Sequence, residues 1–264
     1  MFGKLLKYEF KSTAKWYFLI TLIALGMSVL AGLFGGSGAS SMNRFETDAR
    51  EVAGGIFALI LVIGIVGLYL SNYYIIIRRF YTNLYGREGY LTWTLPAGPH
   101  AILLSKFLGA LIASLYCLVL LFVSGLLTLL VMGSVMGREL SSVFTLISNI
   151  FGDSFIIWLI VWWIFTTASG ILMFYVSIAL GQLFQNRRGL KAILFGFLLC
   201  LVLSIIGSIF NPFRDSVNVT YALLVGNYDY IDINFIPGLI YEVIKIISMY
   251  FTIHYISKYK LNLQ

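Results

Sequence analysis

Six long apolar blocks divide the chain, and they constrain its fold more than any other feature of the sequence. They lie at about residues 16–34, 53–77, 107–132, 154–180, 192–210 and 236–256. Each block is close to the roughly 20 residues that a helix needs to cross the hydrocarbon core of a bilayer. Backbone groups in lipid have no water to bind, so each block must satisfy its hydrogen bonds internally, as a helix. The sequence therefore predicts an all-α, polytopic membrane protein with one transmembrane domain over residues 1–264.

The composition favours a membrane protein over a soluble one. Apolar residues make up 60% of the chain and charged residues only 11%, whereas a soluble domain carries about 25% charged residues. The first block follows a basic N-terminus, but it is longer than the roughly 7–15 apolar residues of a cleavable signal. We interpret it as a retained first span.

The distribution of basic residues predicts that both termini are cytoplasmic, because short cytoplasmic loops are enriched in Lys and Arg. With six spans and both ends inside, the cytoplasmic side holds thirteen of the 18 basic residues: Lys4, Lys7, Lys11, Lys15, Arg78, Arg79, Arg87, Lys106, Arg187, Arg188, Lys191, Lys258 and Lys260. Most acidic residues fall on the other side. The net charge of +7 is thus explained by topology, and we expect the lipid bilayer, and no nucleic acid, as a partner.

Residues 1–15 are predicted to form an amphipathic elbow helix at the cytoplasmic interface. Its apolar residues recur at helical spacing, while Lys4, Lys7, Lys11 and Lys15 occupy another face, as in helices that lie along anionic headgroups. Glu9 is the one acidic residue there. Two interpretations of Glu9 are open: a charge pair with a neighbouring lysine, or a contact with a cytoplasmic partner.

The loop between the second and third blocks has an unusual composition for a solvated loop. Gly86 and Gly89 permit sharp turns, and Pro96 ends any continuous helix. Large apolar side chains lie between these glycines and prolines, at Tyr90, Leu91, Trp93 and Leu95. Such a segment is suited to a short helix that packs into a groove on a soluble partner. The alternative is an ordinary solvated loop.

This loop resembles the coupling loop of type 2 ATP-binding-cassette (ABC) exporter permeases. In that family a glutamate-glycine pair precedes a leucine-rich turn, a proline and a lysine that opens the third span; the matching residues are Glu88, Gly89, Leu91, Thr92, Leu95, Pro96 and Lys106. The opening KLLKYEFK, residues 4–11, resembles the elbow helix of firmicute members. Six spans with inside termini also match that family's layout, whereas the specific sequence resemblance covers about forty residues.

The resemblance implies the permease subunit of an ABC exporter in the plasma membrane of a bacterium. Its expected partners are cytoplasmic ATPase subunits and a second permease copy or homologue. The expected ATPase-coupling residues are Gly86, Arg87, Glu88, Gly89, Leu91, Thr92, Leu95 and Pro96. The chain has no Gly-x-x-x-x-Gly-Lys-Ser/Thr phosphate loop. We therefore expect no cofactor in this chain and no enzyme activity of its own, with ATP and magnesium on the partner ATPase.

The next inner loop, residues 181–191, is short, polar and basic. By its position it is a candidate for a second ATPase contact through Gln185, Arg187 and Arg188, together with Glu9. A simple membrane anchor made by the basic residues is the alternative.

Ionisable and aromatic residues inside the blocks give the candidates for a substrate path or gate. Glu242 and Lys245 lie three residues apart on one helix face, and intramembrane charges are a default sign of function. A mutually neutralising pair is the alternative. Trp162 and Trp163 either line an export path or face lipid. In the fifth block, small residues recur at every fourth position and indicate a packing stripe: Gly196, Cys200, Ser204 and Ser208. The family resemblance implies a permease–permease seam as the alternative to internal packing.

No catalytic or metal-binding motif is found. His100 and His254 are far apart in the sequence, and Cys117 and Cys200 lie within apolar blocks as small hydrophobes. An amphipathic or hydrophobic cargo is expected, with a peptide, toxin or bacteriocin first. Two alternatives to an ATP-driven exporter stay open: an ATP-independent secondary transporter or channel, and a membrane immunity protein.

Overall fold

The computed structural model describes residues 2–40, 47–86, 89, 94, 98–137, 154–184, 186–211 and 229–259. Within these ranges the regular secondary structure is entirely helical, which confirms the all-α prediction. The six long helices are α1 (Phe2–Ser40), α2 (Thr47–Leu84), α3 (Pro99–Val135), α4 (Ser154–Gln182), α5 (Arg188–Ile209) and α6 (Asp229–Tyr259).

Each of these helices contains a stretch long and apolar enough to cross a membrane. The chain is therefore a multi-pass membrane protein, and each predicted block coincides with one helix. Several helices extend beyond the predicted blocks: α3, with 37 residues, is about 55 Å long at 1.5 Å per residue. This length exceeds the roughly 30 Å of hydrocarbon, so these helices continue past the apolar layer.

Residues 2–15 of the predicted elbow are helical, but no break separates them from the first span. Helix α1 runs without interruption over 39 residues. Its sequence contains no proline, and proline is the commonest cause of a sharp kink. By contrast, α6 carries Pro237 inside the helix, and this residue removes one intrahelical hydrogen bond near the start of the sixth span.

The described residues divide into two compact units. Unit 1 comprises residues 1–7, 76–111 and 153–264, and unit 2 comprises residues 8–75 and 112–152. In unit 1, α4 packs against both α5 and α6. Its core is built by large apolar side chains, among them Phe80, Ile171 and Ile253, whose exposed fractions are at most 1%.

Unit 2 is held together by polar contacts as well as by apolar packing. The Tyr17 hydroxyl donates to Asn72 Oδ1 at 2.8 Å, and Asn72 Nδ2 donates to Ser114 Oγ at 3.1 Å. Asn72 is 1% exposed, so this chain of hydrogen bonds joins α1, α2 and α3 away from the surface. Polar side chains in membrane helices typically contribute to association by bonding across helices in this way.

Glycine at position 32 allows α1 and α3 to approach closely. A Cβ added at Gly32 would lie 2.7 Å from the Val131 Cβ and 2.9 Å from the Thr128 carbonyl oxygen, whereas a Cβ at Gly26 would meet no atom within 4 Å. We therefore predict that Gly32→Ala destabilises the protein by about 1–3 kcal/mol through overpacking. Gly26→Ala, on the same helix, should be neutral or slightly stabilising because alanine has the higher helix propensity.

Thermal unfolding of the two purified variants in detergent measures this difference. Equal melting temperatures for Gly32→Ala and Gly26→Ala would contradict the close approach of α1 and α3 at Gly32.

Candidate functional site

A cavity of about 340 Å³ lies in unit 1 among α4, α5 and α6. This volume is at the lower end of the roughly 300–1,000 Å³ typical of ligand pockets. The side chains of Trp162, Ser169, Tyr241, Glu242 and Lys245 are part of its lining. Three of these five residues, Trp162, Glu242 and Lys245, are predicted candidates for a substrate path, and the structure brings them to one cavity.

Glu242 is the most buried charged group of this cavity. Its side chain is 7% exposed, and both carboxylate oxygens accept hydrogen bonds. Lys245 Nζ donates to Oε1 at 2.8 Å, and the Ser169 hydroxyl on α4 donates to Oε2 at 2.5 Å. A carboxylate removed from water needs such compensation, since an isolated buried charge is very costly. The predicted ion pair is therefore formed, and α4 supplies a third member that the sequence did not indicate.

Lys245 is less enclosed than its partner. Its side chain is 16% exposed, and the ammonium also lies 4.9 Å from the centroid of the Tyr241 ring, within range of a cation–π interaction. Tyr241 itself is fixed, because its hydroxyl donates to the Leu203 carbonyl on α5 at 2.8 Å and its ring stacks on Phe210. The pair thus combines a buried, doubly held anion with a more exposed cation on a flexible stem.

The small-residue stripe of α5 has two different environments. A Cβ at Gly196 would contact Ser177 of α4 at 3.3 Å, so this end of the stripe supports helix packing. Cys200, Ser204 and Ser208 instead line the cavity. Small side chains here leave space between the helices, and hydroxyls make part of the lining polar.

Trp162 and Trp163, the two tryptophans of the predicted substrate path, differ in their position relative to the cavity. Trp162 lines the cavity, whereas Trp163 is not among the described residues that line it. Both side chains are half-buried. Only Trp162 is therefore positioned to contact a molecule in this cavity, and its indole ring offers an aromatic face.

The predicted ATPase-coupling residues are only partly described. Arg87, Glu88, Leu91, Thr92, Leu95 and Pro96 lie outside the described residues. Gly86 ends α2 in a turn: its N–H donates to the Tyr81 carbonyl at 2.9 Å, and its own carbonyl accepts from Gly89 N–H at 2.9 Å. A Cβ at Gly86 would lie 2.7 Å from the Thr82 carbonyl oxygen. The turn therefore requires glycine at position 86.

The segment from Gly86 to Pro96 connects α2 to α3. The helix ends on either side of it are anchored to the helices that form the cavity. The end of α2 and the start of α3 share one buried cluster with α4 and α6; its members include Phe80, Leu84, Ile102, Leu103, Ile171, Tyr175, Met249 and Ile253. The Phe80 and Tyr175 rings stack with centroids 3.6 Å apart, and the Tyr175 hydroxyl donates to the Lys106 carbonyl at 3.4 Å. Close-packed interiors transmit strain, so α4 and α6 are the helices that a movement of either anchor would affect first.

Tyr85 follows directly after α2, beside Phe80 at the start of the segment. Its ring packs edge-on against Phe80, with centroids 5.9 Å apart. Burial raises the pKa of Tyr85 to about 12, from an ordinary value of 10.0, because the phenolate would lose its hydration.

The structure describes the second candidate ATPase contact only in part. Gln185 lies outside the described residues. Arg187 is exposed and adopts a left-handed backbone with φ 52° immediately before α5, a conformation that costs a non-glycine residue roughly 1–2 kcal/mol. Arg188 Nε donates to the Phe184 carbonyl at 3.3 Å. Glu9 is half-buried in α1, in unit 2, and its role as an ATPase contact stays a prediction.

The structure also joins two residues that sequence spacing kept apart. The imidazole rings of His100 and His254 stack with centroids 3.6 Å apart, and His100 Nδ1 lies 3.3 Å from the Tyr250 hydroxyl. This contact links the start of α3 to α6. No cluster of three or more His, Cys, Asp or Glu side chains that could hold a metal ion occurs among the described residues.

Comparison with known proteins gave no match: no family model, no curated protein and no solved structure matches this chain. The functional assignment therefore depends on the chain's own residues and geometry.

The burial of the ion pair predicts strong coupling between its members. Removing one partner of a buried pair typically costs about 3–5 kcal/mol, because the other charge is left uncompensated, whereas replacing both can be nearly neutral. We expect Lys245→Met to destabilise more than Glu242→Gln, since Glu242 is the more buried partner. The double variant should be more stable than Lys245→Met. Thermal unfolding of the four proteins measures this cycle, and additive effects would show that the pair is not coupled.

The raised pKa of Tyr85 predicts alkaline sensitivity. The pKa of Tyr85 in the folded protein, about 12, lies above the ordinary value of 10.0. The contribution of its neutral phenol to the free energy of unfolding is therefore intact below pH 10 and is lost as the pH rises from there towards 12. The loss should be on the order of 1 kcal/mol by pH 11. Melting temperatures from pH 8 to pH 11 should therefore fall less steeply for Tyr85→Phe than for the wild type. Identical slopes would show that the phenol is not buried as described.

Proposed function

We propose that this chain is the membrane-spanning permease subunit of an ATP-driven ABC exporter that moves an amphipathic or hydrophobic cargo. The proposed setting is a bacterial plasma membrane, with both termini in the cytoplasm and with separate ATPase subunits bound at the segment from Gly86 to Pro96. A second permease copy or homologue completes the transporter, and the favoured cargo is a peptide, toxin or bacteriocin.

The observation that carries this proposal is the packing between the segment's anchors and the cavity helices. Phe80 before the segment packs against Tyr175 of α4, and His100 after it packs against His254 of α6. Helices α4 and α6 carry Ser169 and Glu242, the buried polar groups of the cavity. A push on the segment thus has a direct route to the cavity through close-packed side chains, which is the geometry that an external motor needs.

We assign the motor to a separate ATPase subunit, which is consistent with the lack of a phosphate-binding loop of the Gly-x-x-x-x-Gly-Lys-Ser/Thr type in residues 1–264. The resemblance of residues 88–96 to the coupling loop of type 2 ABC permeases supports an ABC ATPase as that motor. In this scheme, nucleotide-driven movement of the ATPase displaces the segment as a rigid body, and this displacement changes the shape of the cavity.

One observation favours a second candidate, an ATP-independent secondary transporter. A buried ion pair within the spans, at Glu242 and Lys245, is the kind of group that such transporters use to bind ions or protons. The two candidates differ in their energy source. Transport into vesicles that stops when ATP is withheld supports the exporter, whereas transport that follows an imposed proton gradient without ATP supports the alternative.

Binding of an ATPase at the predicted coupling segment is tested by co-purification. Expressed with its genomic neighbours, the tagged chain should retain an ABC ATPase in mild detergent. Glu88→Lys reverses a charge and Leu95→Asp places a charge at an apolar contact, so each should lower the amount of co-purified ATPase by about tenfold, equivalent to roughly 1.4 kcal/mol of binding.

Arg44→Gln serves as the matched control. Position 44 lies between the first two spans, which is the outer side if both termini are cytoplasmic, so this substitution should leave ATPase recovery unchanged. Recovery of equal ATPase with Glu88→Lys, Leu95→Asp and Arg44→Gln would reject the segment as the docking site. Full transport activity of the purified chain without any ATPase would reject the exporter itself.

A further inference from the structure

We propose that the cavity among α4, α5 and α6 binds the primary ammonium group of an amphipathic amine, with Glu242 as its counter-ion and Lys245 as the internal group that it displaces. The inference rests on the proposed transport function and deepens it by naming a cargo class. The feature that carries it is the unequal burial of the two charges.

Glu242 is the fixed member of the pair. Its side chain is only 7% exposed, and Ser169, which is 2% exposed, holds Oε2 from α4. This hydroxyl does not depend on Lys245. A carboxylate held in this way keeps its position and its requirement for a cation when Lys245 moves away.

Lys245 is the exchangeable member. It lies one helical turn from Glu242, is 16% exposed, and makes its ion pair through a single 2.8 Å contact to Oε1. Its four-carbon stem lets the ammonium move towards a more polar environment while the stem stays in an apolar one. When it does so, Oε1 is left open to the cavity and is available to another ammonium group.

The surroundings of Oε1 fit a small cation with an apolar tail. The Tyr241 ring already lies 4.9 Å below the Lys245 ammonium, and Trp162 supplies a second aromatic side chain in the lining. Aromatic faces attract ammonium groups most strongly where water is scarce. The cavity volume of about 340 Å³ suits a head group, while an attached chain extends into the apolar phase outside it.

Exchange also predicts that an anion is the weaker ligand. An incoming anion would meet Glu242, which stays in place, and would bring two like charges together in a low-dielectric site. An incoming ammonium replaces Lys245 one for one at the carboxylate, so the charge at Glu242 remains neutralised. The same exchange makes binding sensitive to Lys245, since a group that competes for the site lowers the apparent affinity.

Cys200 provides a direct test, because it is exposed in the cavity lining whereas Cys117 is buried. The purified chain, in lipid nanodiscs without ATPase or nucleotide, is treated with N-ethylmaleimide, and alkylation of Cys200 is followed by mass spectrometry. Dodecylamine should slow the reaction at least about threefold, while dodecanol and dodecyl sulfate at equal membrane concentration should have little effect. Cys200→Ser measures residual labelling.

Three variants distinguish the roles of the charges. Glu242→Gln and the double variant Glu242→Gln/Lys245→Met should lose protection by dodecylamine. The double variant leaves no unpaired charge at the cavity, so it tests the site even if the single variant is unstable. In Lys245→Met, dodecylamine should protect at about tenfold lower concentration and should raise the melting temperature more than in the wild type, because the ligand replaces the missing cation.

A lysine-containing peptide separates the two sources of this chemistry. An acetylated and amidated Leu-Leu-Lys-Leu-Leu peptide presents a peptide ammonium, and dodecylamine presents a lipid-like one. Protection by either supports the site, and the lower half-protecting concentration identifies the better-matched source. Equal protection by dodecylamine in Glu242→Gln and wild type, or equal protection by dodecanol, would overturn the proposal.

The outcome is independent of the motor. Failure of the wild-type chain to retain an ABC ATPase, with intact amine protection, would reject the exporter and keep the amine site. Intact co-purification without amine protection would reject only the site.

Discussion

The absence of water in the hydrocarbon core is the constraint on which the rest of this structure depends. Every backbone N–H and carbonyl group in the core must bond within its own segment, and helices satisfy this condition. Once all spans are helical, polar side chains must find partners on their own span or on another, or face a polar cavity. Asn72 between Tyr17 and Ser114, and Glu242 between Ser169 and Lys245, are the results of this requirement.

These two polar clusters serve different ends. The Asn72 cluster in unit 2 links three helices through groups that are uncharged at neutral pH. The Glu242 cluster carries full charges and borders a cavity. A buried ion pair contributes little net stability, and well-packed apolar residues often replace such a pair without loss. Stability alone therefore explains the first cluster but not the second, which supports a binding role for Glu242.

The sequence was sufficient for the helices but not for the site. Block length and the requirement for internal hydrogen bonds predict six helices, and a spacing of three residues predicts the Glu242–Lys245 contact. Ser169 lies 73 positions from Glu242, so its role depends on which faces of α4 and α6 meet. The stacking of His100 on His254 has the same origin. The uninterrupted α1 also differs from a separate elbow, because helical propensity continues where amphipathicity changes.

The unequal burial of Glu242 and Lys245 determines how the cavity responds to a movement of its helices. If both charges were equally buried and equally held, any movement of α4 against α6 would weaken the pair without favouring a new partner. Because Ser169 on α4 holds Glu242, while Lys245 shares α6 with it, a shift between these helices changes the serine contact and leaves the lysine contact in reach. In the proposed exporter, displacement of the anchors at Phe80 and His100 would alter how strongly Glu242 attracts a cation, and would in this way couple movement of the ATPase to release of cargo.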